Sequence, residues 1–113
     1  MFAPEFGLTI FDTSAVRQGR ATAIQVPMRT IDDICQELSL IDVRLVKIDV
    51  EGFEPHVLRG MTRLLRRQRP IVVFEAWTDE LLSACRAELP SSYEISRLND
   101  WDYVAQPRPP STP

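Results

Sequence analysis

The sequence predicts an α/β protein built around a mostly parallel sheet. Three consecutive segments support this fold class: a β-branched apolar run at 43–50 (VRLVKIDV), apolar side chains at helical spacing from 55 to 67, and a second short apolar run at 70–75 (PIVVFE). A strand, a helix and a strand with short connections form a βαβ crossover, which pairs the two strands in parallel. Because the first run is nearly continuous in hydrophobicity, we predict a central strand covered on both faces.

Two strands and a polar connection are predicted in the first 29 residues. Phe6, Leu8 and Ile10 occupy alternate positions, as apolar side chains do along a half-buried strand. The segment 14–21 is polar and contains a glycine, which indicates a connection. Residues 22–29 again carry apolar side chains at alternate positions and predict a second strand.

A short helix is predicted at residues 30–38. Thr30 suits the N-cap position, and Asp33 three residues later completes a variant of the capping box. Asp32 adds negative charge near the positive end of the helix. The polar segment 39–42 then ends the helix before the apolar run begins.

The helix after the central strand is predicted from its start and its periodicity. Gly52 permits a sharp turn out of the strand, and Pro55 suits the first turn of a helix. The apolar spacing continues without interruption to Arg67, so the sequence predicts one helix.

The C-terminal part is predicted to contain a helix and a hairpin. Thr78 suits the N-cap of a helix that ends before Pro90. Two late strands, at 93–98 and 103–105, are separated by turn residues around Asn99, which favours an antiparallel hairpin.

Composition excludes several classes of function. The chain has 113 residues and a net charge of −3, and its pI is near 5.1. Nothing in this balance favours nucleic acid or an anionic membrane surface as a partner. No apolar run approaches the ~18 residues of a membrane span. The glycines, at positions 7, 19, 52 and 60, are too scattered for a phosphate-binding loop.

The cysteines and the N-terminal residues predict the redox state and the cellular location of the chain. Cys35 and Cys85 each lie in an apolar helical pattern, which predicts buried free thiols. One histidine and two distant cysteines do not suit a zinc site. With no basic or strongly apolar leader, the chain is predicted to be reduced, soluble and cytoplasmic.

Charged residues collect at the end of the predicted central strand. The period of two places Lys47, Asp49 and Glu51 on one side of it. Glu54 opens the next helix, and Glu75 ends the following strand at the corresponding level. In open α/β sheets ligands bind at the carboxyl ends of the strands. These side chains are therefore candidate substrate ligands or general bases.

Other interpretations fit the same residues. Lys47 and Asp49 could form a buried ion pair, while Glu51 and Glu54 stabilise the helix dipole. Asp49, Glu51 and Glu75 could instead bind Mg²⁺, because carboxylate oxygens are ligands that this ion prefers.

Two further side chains near the strand ends have a functional and a structural interpretation. His56 could shuttle protons, or it could be an ordinary residue of the first helical turn. Trp77 could stack on a ligand ring, or it could pack in the core. The arginines at 59, 63, 66, 67 and 69 indicate a solvated helix face rather than a nucleic-acid site, since no aromatic residue lies among them.

Three segments together resemble the C-terminal half of the FkbM family of S-adenosylmethionine-dependent methyltransferases. They are TIDDI, LVKIDVEGFEPHVLRG and LLRRQRPIVVFEA, and they cover about residues 26–76 in the family's order. The family's pattern has an Asp-Asp helix start, a Lys-Ile-Asp-Val-Glu-Gly strand end, a Leu-x-Gly helix, and an Arg-Pro strand that closes on Glu.

The resemblance implies part of a class I (Rossmann-like) methyltransferase fold with a C-terminal antiparallel hairpin. It implies S-adenosylmethionine as cofactor and methyl transfer to an oxygen, usually a hydroxyl, of a small-molecule or sugar-like acceptor. On the motif residues, we expect Asp49 and Glu51 to orient or deprotonate that hydroxyl, with Lys47 fixing their charge and orientation. The acceptor contacts are predicted to be Glu54, His56, Glu75 and Trp77.

The sequence departs from the family before Ile24, where no glycine-rich turn or acidic strand end is recognisable, so no residue is assigned to cofactor binding. We expect residues 1–106 to form a partial methyltransferase domain, followed by a Pro-rich disordered tail at 107–113. The alternative is a degenerate, non-catalytic α/β interaction module. In both cases the strand at 43–50 would leave an uncovered sheet edge, which predicts self-association.

Overall fold

The computed structural model describes residues 5–7, 18–19 and 22–110 of the chain, with the backbone alone for 5–7. The strands and helices, in chain order, are β1 (Glu5–Gly7), β2 (Val26–Met28), α1 (Ile31–Glu37), β3 (Leu45–Ile48), α2 (Glu54–Arg59), α3 (Thr62–Arg67), β4 (Ile71–Glu75), α4 (Asp79–Glu88), β5 (Tyr93–Arg97) and β6 (Asp102–Pro107). No helix of this described part has the length and apolar character needed to cross a membrane.

The main sheet has four strands in the order β3-β4-β6-β5. β3 and β4 pair in parallel, whereas β6 is antiparallel to both of its neighbours. It follows that β3, β4 and β5 run in one direction and β6 runs against them. The predicted parallel pairing across the βαβ unit and the C-terminal hairpin are both confirmed.

The core lies on one face of this sheet. Phe74 of β4 and Tyr103 of β6 are at most 5% exposed, and their rings stack at 5.7 Å between centroids. Helices α2, α3 and α4 pack on this face, and they and the junction between α2 and α3 contribute the buried side chains of Leu58, Met61, Leu64, Leu65 and Cys85. Residues at alternate strand positions face the other way, so Leu45 is 62% exposed and Ile71 is 40% exposed.

The strand β3 differs from the predicted central strand. It spans Leu45–Ile48 rather than 43–50, and within the described residues it pairs with β4 alone. β3 is therefore an edge of this sheet rather than a central strand, which agrees with the uncovered edge expected at this strand. The prediction of a strand covered on both faces is wrong, because Leu45 and Lys47 are exposed. Hydrophobic continuity misled the prediction because Val43 and Val50 lie outside the ladder.

The single helix predicted to run to Arg67 is also wrong. The chain forms two six-residue helices, α2 and α3, which are separated at Gly60 and the fully buried Met61. A Cβ atom on Gly60 would lie 3.1 Å from the Cβ of Thr30. The junction is thus pressed against the start of α1. Apolar spacing could not reveal the break, because buried side chains continue across it.

Both predicted helix caps are confirmed. The Thr30 hydroxyl accepts a hydrogen bond from the Asp33 amide at 3.1 Å, and the Thr78 hydroxyl accepts one from the Leu81 amide at 3.1 Å. Each bond satisfies one backbone N–H of a first helical turn.

The N-terminal strand β1 pairs antiparallel with β2, which places Phe6 opposite Pro27. Predictions for Leu8, Ile10 and most of the connection at 14–21 fall outside the described residues.

The C-terminal hairpin closes as predicted. The Asn99 side-chain oxygen accepts hydrogen bonds from the amides of Trp101 and Asp102, at 3.0 and 2.9 Å. β6 extends to Pro107, which pairs with Tyr93, so the first residue assigned to the tail belongs to the sheet. Residues 111–113 lie outside the described part.

Both cysteines are free thiols, as predicted. Cys85 is fully buried, whereas Cys35 is only half-buried.

Candidate functional site

Three carboxylates lie in a row across the carboxyl end of the parallel strands. The β3–β4 register pairs Ile48 with Phe74, so the next residues, Asp49 and Glu75, follow at the same level. The β4–β6 register places Asp102 directly opposite Glu75. We call Asp49, Glu75 and Asp102 the carboxylate row.

Glu75 and Asp102 of the carboxylate row point away from the helices. Phe74 comes immediately before Glu75, and Tyr103 comes immediately after Asp102. Both aromatic rings point into the core. Since side chains alternate along a strand, Glu75 and Asp102 point to the opposite face. Asp49 is exposed, while Glu75 and Asp102 are half-buried.

The negative charges at this end of the sheet act on one another. The pKa of Glu75 is raised above its ordinary value, first by partial burial and then by the charges of Asp49, Asp102, Glu54 and Glu51. Burial and like charges both disfavour the ionised carboxylate. The structure therefore brings together the acidic residues that the sequence placed at the two strand ends.

A tight turn connects β3 to α2 and positions Glu51. Glu51 has a φ of +49° and Gly52 a φ of +97°. The first value is unusual for a residue with a side chain, and the second confirms the turn predicted at Gly52. The turn places the Glu51 side chain in solvent beside the carboxylate row.

Glu54 holds this turn. Its side chain is 1% exposed, and its two carboxylate oxygens accept hydrogen bonds from the amides of Val50 at 3.2 Å and Gly52 at 2.8 Å. Charge-assisted bonds of this kind are stronger than neutral ones. Both carboxylate oxygens of Glu54 are thus hydrogen-bonded to the backbone on either side of Glu51.

Lys47 is exposed on the sheet edge, and so is Asp49. Within the described residues the ion pairs are Arg29–Glu37, Arg44–Asp42 and Arg59–Glu88. The alternative of a buried Lys47–Asp49 ion pair is therefore wrong, because both side chains remain in water at the strand end.

The aromatic candidates lie in two places. The Trp77 indole N–H donates a hydrogen bond to the Glu75 carboxylate, and its ring is 48% exposed, so Trp77 borders the carboxylate row. His56 is exposed on α2 and stacks on Phe53, with ring centroids 4.4 Å apart.

Two cavities lie beside this end of the sheet. The edge cavity, of about 530 Å³, is lined by residues 46–50, at the end of β3 and just after it, and by Ile31 and Val57. The α1–α2 cavity, of about 370 Å³, lies between the start of α1 and α2 and also contains Ile31 and Val57 in its wall. His56 lines the second cavity, whereas Asp49 lines the first.

The carboxylates do not form a metal site. Across the described parts of the chain, no group of three or more His, Cys, Asp or Glu side chains is placed to hold a metal ion. The Mg²⁺ hypothesis for Asp49, Glu51 and Glu75 therefore has no geometric support. These groups are close enough to interact electrostatically, but they do not converge on one point.

Sequence reasoning missed Asp102, Met28 and Phe53 as site residues. The hairpin turn at Asn99 located the start of the last strand, yet nothing local to Asp102 indicates its register against Glu75. Met28 and Phe53 line the α1–α2 cavity, which depends on how α1 and α2 pack.

Comparison with known families gives one match. The sequence model described as the methyltransferase FkbM domain matches residues 2–99 of the chain, which extends well beyond the resemblance at 26–76 in both directions. No curated protein and no solved structure matches the chain significantly.

Proposed function

We propose that this chain, which belongs to the methyltransferase FkbM domain family, transfers a methyl group from S-adenosylmethionine to a hydroxyl oxygen of a small molecule. The observation that carries the proposal is the carboxylate row of Asp49, Glu75 and Asp102 beside the Glu51 turn. The strand order, with three strands in one direction and one reversed, supports a class I methyltransferase arrangement.

The charge of the carboxylate row suits this methyl donor. None of Asp49, Glu75 and Asp102 belongs to an ion pair within the described residues. The pKa of Glu75 is raised by partial burial and, in addition, by the negative charges around it. A sulfonium cation is attracted to such a site. When bound, S-adenosylmethionine supplies an electrophilic methyl group, and Asp49 and Glu75 would hold its charged end.

The acceptor hydroxyl is handled by Asp49 and Glu51 in this proposal. With the cofactor bound, the acceptor oxygen would gain the methyl group, the donor would leave as a neutral thioether, and these two carboxylates would orient the hydroxyl. The hydroxyl proton passes to one of the two carboxylates, acting as general base. Glu54 is a positioning residue, because its hydrogen bonds fix the backbone on either side of Glu51.

The non-catalytic interaction module is the second candidate. It is favoured by the unpaired edge of β3 among the described strands and by the exposed side chains of Leu45 and Ile71 on the open sheet face. Exposed edges and apolar patches promote pairing with another chain. Self-association through this edge stays a prediction.

Titration calorimetry with S-adenosylmethionine separates the two functions. We expect saturable binding to the full chain, and about tenfold weaker binding by Asp49→Asn, equivalent to ~1.4 kcal/mol for the lost attraction to a cation. Glu94→Gln removes a carboxylate from the exposed side of β5 and should bind as the unaltered chain does. A chain that is folded by circular dichroism yet binds no S-adenosylmethionine would overturn the methyltransferase proposal in favour of the module.

A further inference from the structure

The shape of the α1–α2 cavity is held by specific contacts between α1 and the end of α2. Its floor is the junction of Thr30 and Gly60, where the Asp32 amide donates a hydrogen bond to the Gly60 carbonyl at 2.9 Å. A side chain on Gly60 would approach Thr30 within 3.1 Å. The glycine therefore keeps the two helices close and leaves the space above them open.

The lining of this cavity is mostly apolar. Met28, Ile31, Phe53 and Val57 contribute hydrocarbon and aromatic surface. The guanidinium of Arg29, the cationic group in the wall, is already bound to Glu37. Such a lining offers few partners to the many hydroxyls of a sugar, whose burial without hydrogen bonds is costly.

Two stacked aromatic rings belong to the wall of the cavity. The Phe53 and His56 rings stack with an interplanar angle of 28° and a centroid distance of 4.4 Å. Aromatic rings bind preferentially against such faces in offset or edge-to-face geometry. At about 370 Å³ the cavity is within the lower part of the range for small-molecule sites, roughly 300–1,000 Å³, and is large enough for a single aromatic ring with a short chain.

The cavity lies beside the proposed site of chemistry. Ile31 and Val57 belong to the walls of both cavities, and Asp49 lines the neighbouring edge cavity. In our proposal, a ligand whose ring lies against Phe53 extends past Ile31 and Val57 and presents its polar end to Asp49.

We propose that the acceptor of this methyltransferase is an alcohol or phenol with an aromatic arm, and that the α1–α2 cavity binds this arm. The inference rests on the proposed function, since the hydroxyl at the other end of the ligand is the group to be methylated. The cavity disfavours sugars as acceptors because its mostly apolar walls offer their hydroxyls few hydrogen-bond partners.

Methyl-resolved NMR of the full chain tests the inference without requiring methyl transfer. The probes are 2-phenylethanol and methyl α-D-glucopyranoside, titrated against protein labelled in Met, Ile and Val methyl groups. With 2-phenylethanol we expect saturable shifts of Met28, Ile31 and Val57, and no shift of Val104, which lies on the open face of the sheet. Glucoside binding at the same methyl groups, or no shift with 2-phenylethanol, would overturn the proposal.

A matched pair of variants on β2 provides the control. Met28 lines the cavity and is 40% exposed, whereas Val26 is 49% exposed and does not line it. Met28→Glu should weaken 2-phenylethanol binding roughly fivefold or more through lost apolar contact, and Val26→Glu should leave it unchanged. Equal effects of the two variants would also overturn the proposal. If 2-phenylethanol binds here but S-adenosylmethionine does not bind the chain, the proposed methyl-transfer function is wrong, whereas the assignment of the α1–α2 cavity as a binding site for an aromatic group stands.

Discussion

At the scale of single residues, the site depends on an acidic side chain that does not face solvent. Glu51 adopts a left-handed backbone conformation, which disfavours side chains with a Cβ by roughly 1–2 kcal/mol. Glu54 offsets this by accepting two backbone hydrogen bonds across the turn. Burying a polar group is costly unless it is hydrogen-bonded, and each oxygen of the buried Glu54 side chain has a partner. The residue that holds the turn is thus distinct from those proposed to act on substrate.

Replacing Glu54 with Gln should destabilise the protein. The amide of Gln presents an N–H₂ group where one carboxylate oxygen now accepts, so one of the amides of Val50 and Gly52 loses its partner. We expect a loss of about 1–3 kcal/mol in the free energy of unfolding, measured by urea denaturation. Glu94→Gln, on the exposed side of β5, is the matched control and should change stability by less than ~0.5 kcal/mol. Equal stability of the two variants would show that Glu54 does not hold the turn.

At the scale of elements, the helices α1 and α3 depend on each other for their ends. Asp32 lies in the first turn of α1, but its carboxylate accepts hydrogen bonds from the amides of Arg63 and Leu64 at 2.9 Å each. Met61, the N-cap residue of α3, makes no side-chain cap. Asp32 therefore performs for α3 the task that an N-cap residue usually performs for its own helix. Together with the Gly60 contact, this fixes how α1 meets the rest of the fold.

Asp32→Ala should cost about 1–2 kcal/mol of stability, because two amides at the start of α3 lose their acceptor. Asp33→Ala is the control, since Asp33 occupies the same helical turn and shares its favourable position near the α1 dipole. Its side chain makes no comparable bond to α3, so it should cost clearly less. Thermal unfolding of the two variants gives the comparison, and equal losses would assign the whole effect of Asp32 to α1 alone.

At the scale of the whole molecule, the covered face of the sheet carries two ionisable groups that are neutral when folded. Burial raises the pKa of the Cys85 thiol to about 12, with smaller contributions from Glu54 and Glu88. Burial also raises the pKa of Tyr93 to about 12, although Arg69 lowers it in part. The Tyr93 hydroxyl donates a hydrogen bond to the Pro70 carbonyl at 2.6 Å. Loss of the hydroxyl proton would therefore break a hydrogen bond in the core.

The stability of the protein should therefore fall at alkaline pH. Both groups have a higher pKa when folded than their ordinary values of 9.0 and 10.0, so the folded state binds their protons more tightly than the unfolded state. Their contribution is complete below pH 9.0 and is lost as the pH rises toward about 12. Urea denaturation as a function of pH measures this loss.

Cys85→Ala provides the test of this assignment. It should make the alkaline decline shallower, whereas Cys35→Ala, at a half-buried thiol, should change the slope less. A free energy of unfolding that stays constant from pH 9.0 to about 12 would contradict the prediction.

Local residue patterns were sufficient to predict those features of the structure that one short segment determines. The caps at Thr30 and Thr78, the turn at Gly52 and the hairpin around Asn99 are all predicted from neighbours in sequence and confirmed. Local patterns failed at the open face of β3 and at the break near Gly60, since both depend on which elements pack together.

The sequence by itself determined the α/β class, the parallel pairing of β3 with β4, and the FkbM family, through residues whose spacing is a local property. Only the tertiary structure decided that Asp102 completes the carboxylate row, that Asp32 caps a helix other than its own, and that the cavity lined by Phe53 lies beside the one lined by Asp49. The physical reason is that register and helix packing are set by contacts between segments distant in sequence, which no local pattern of residue types encodes.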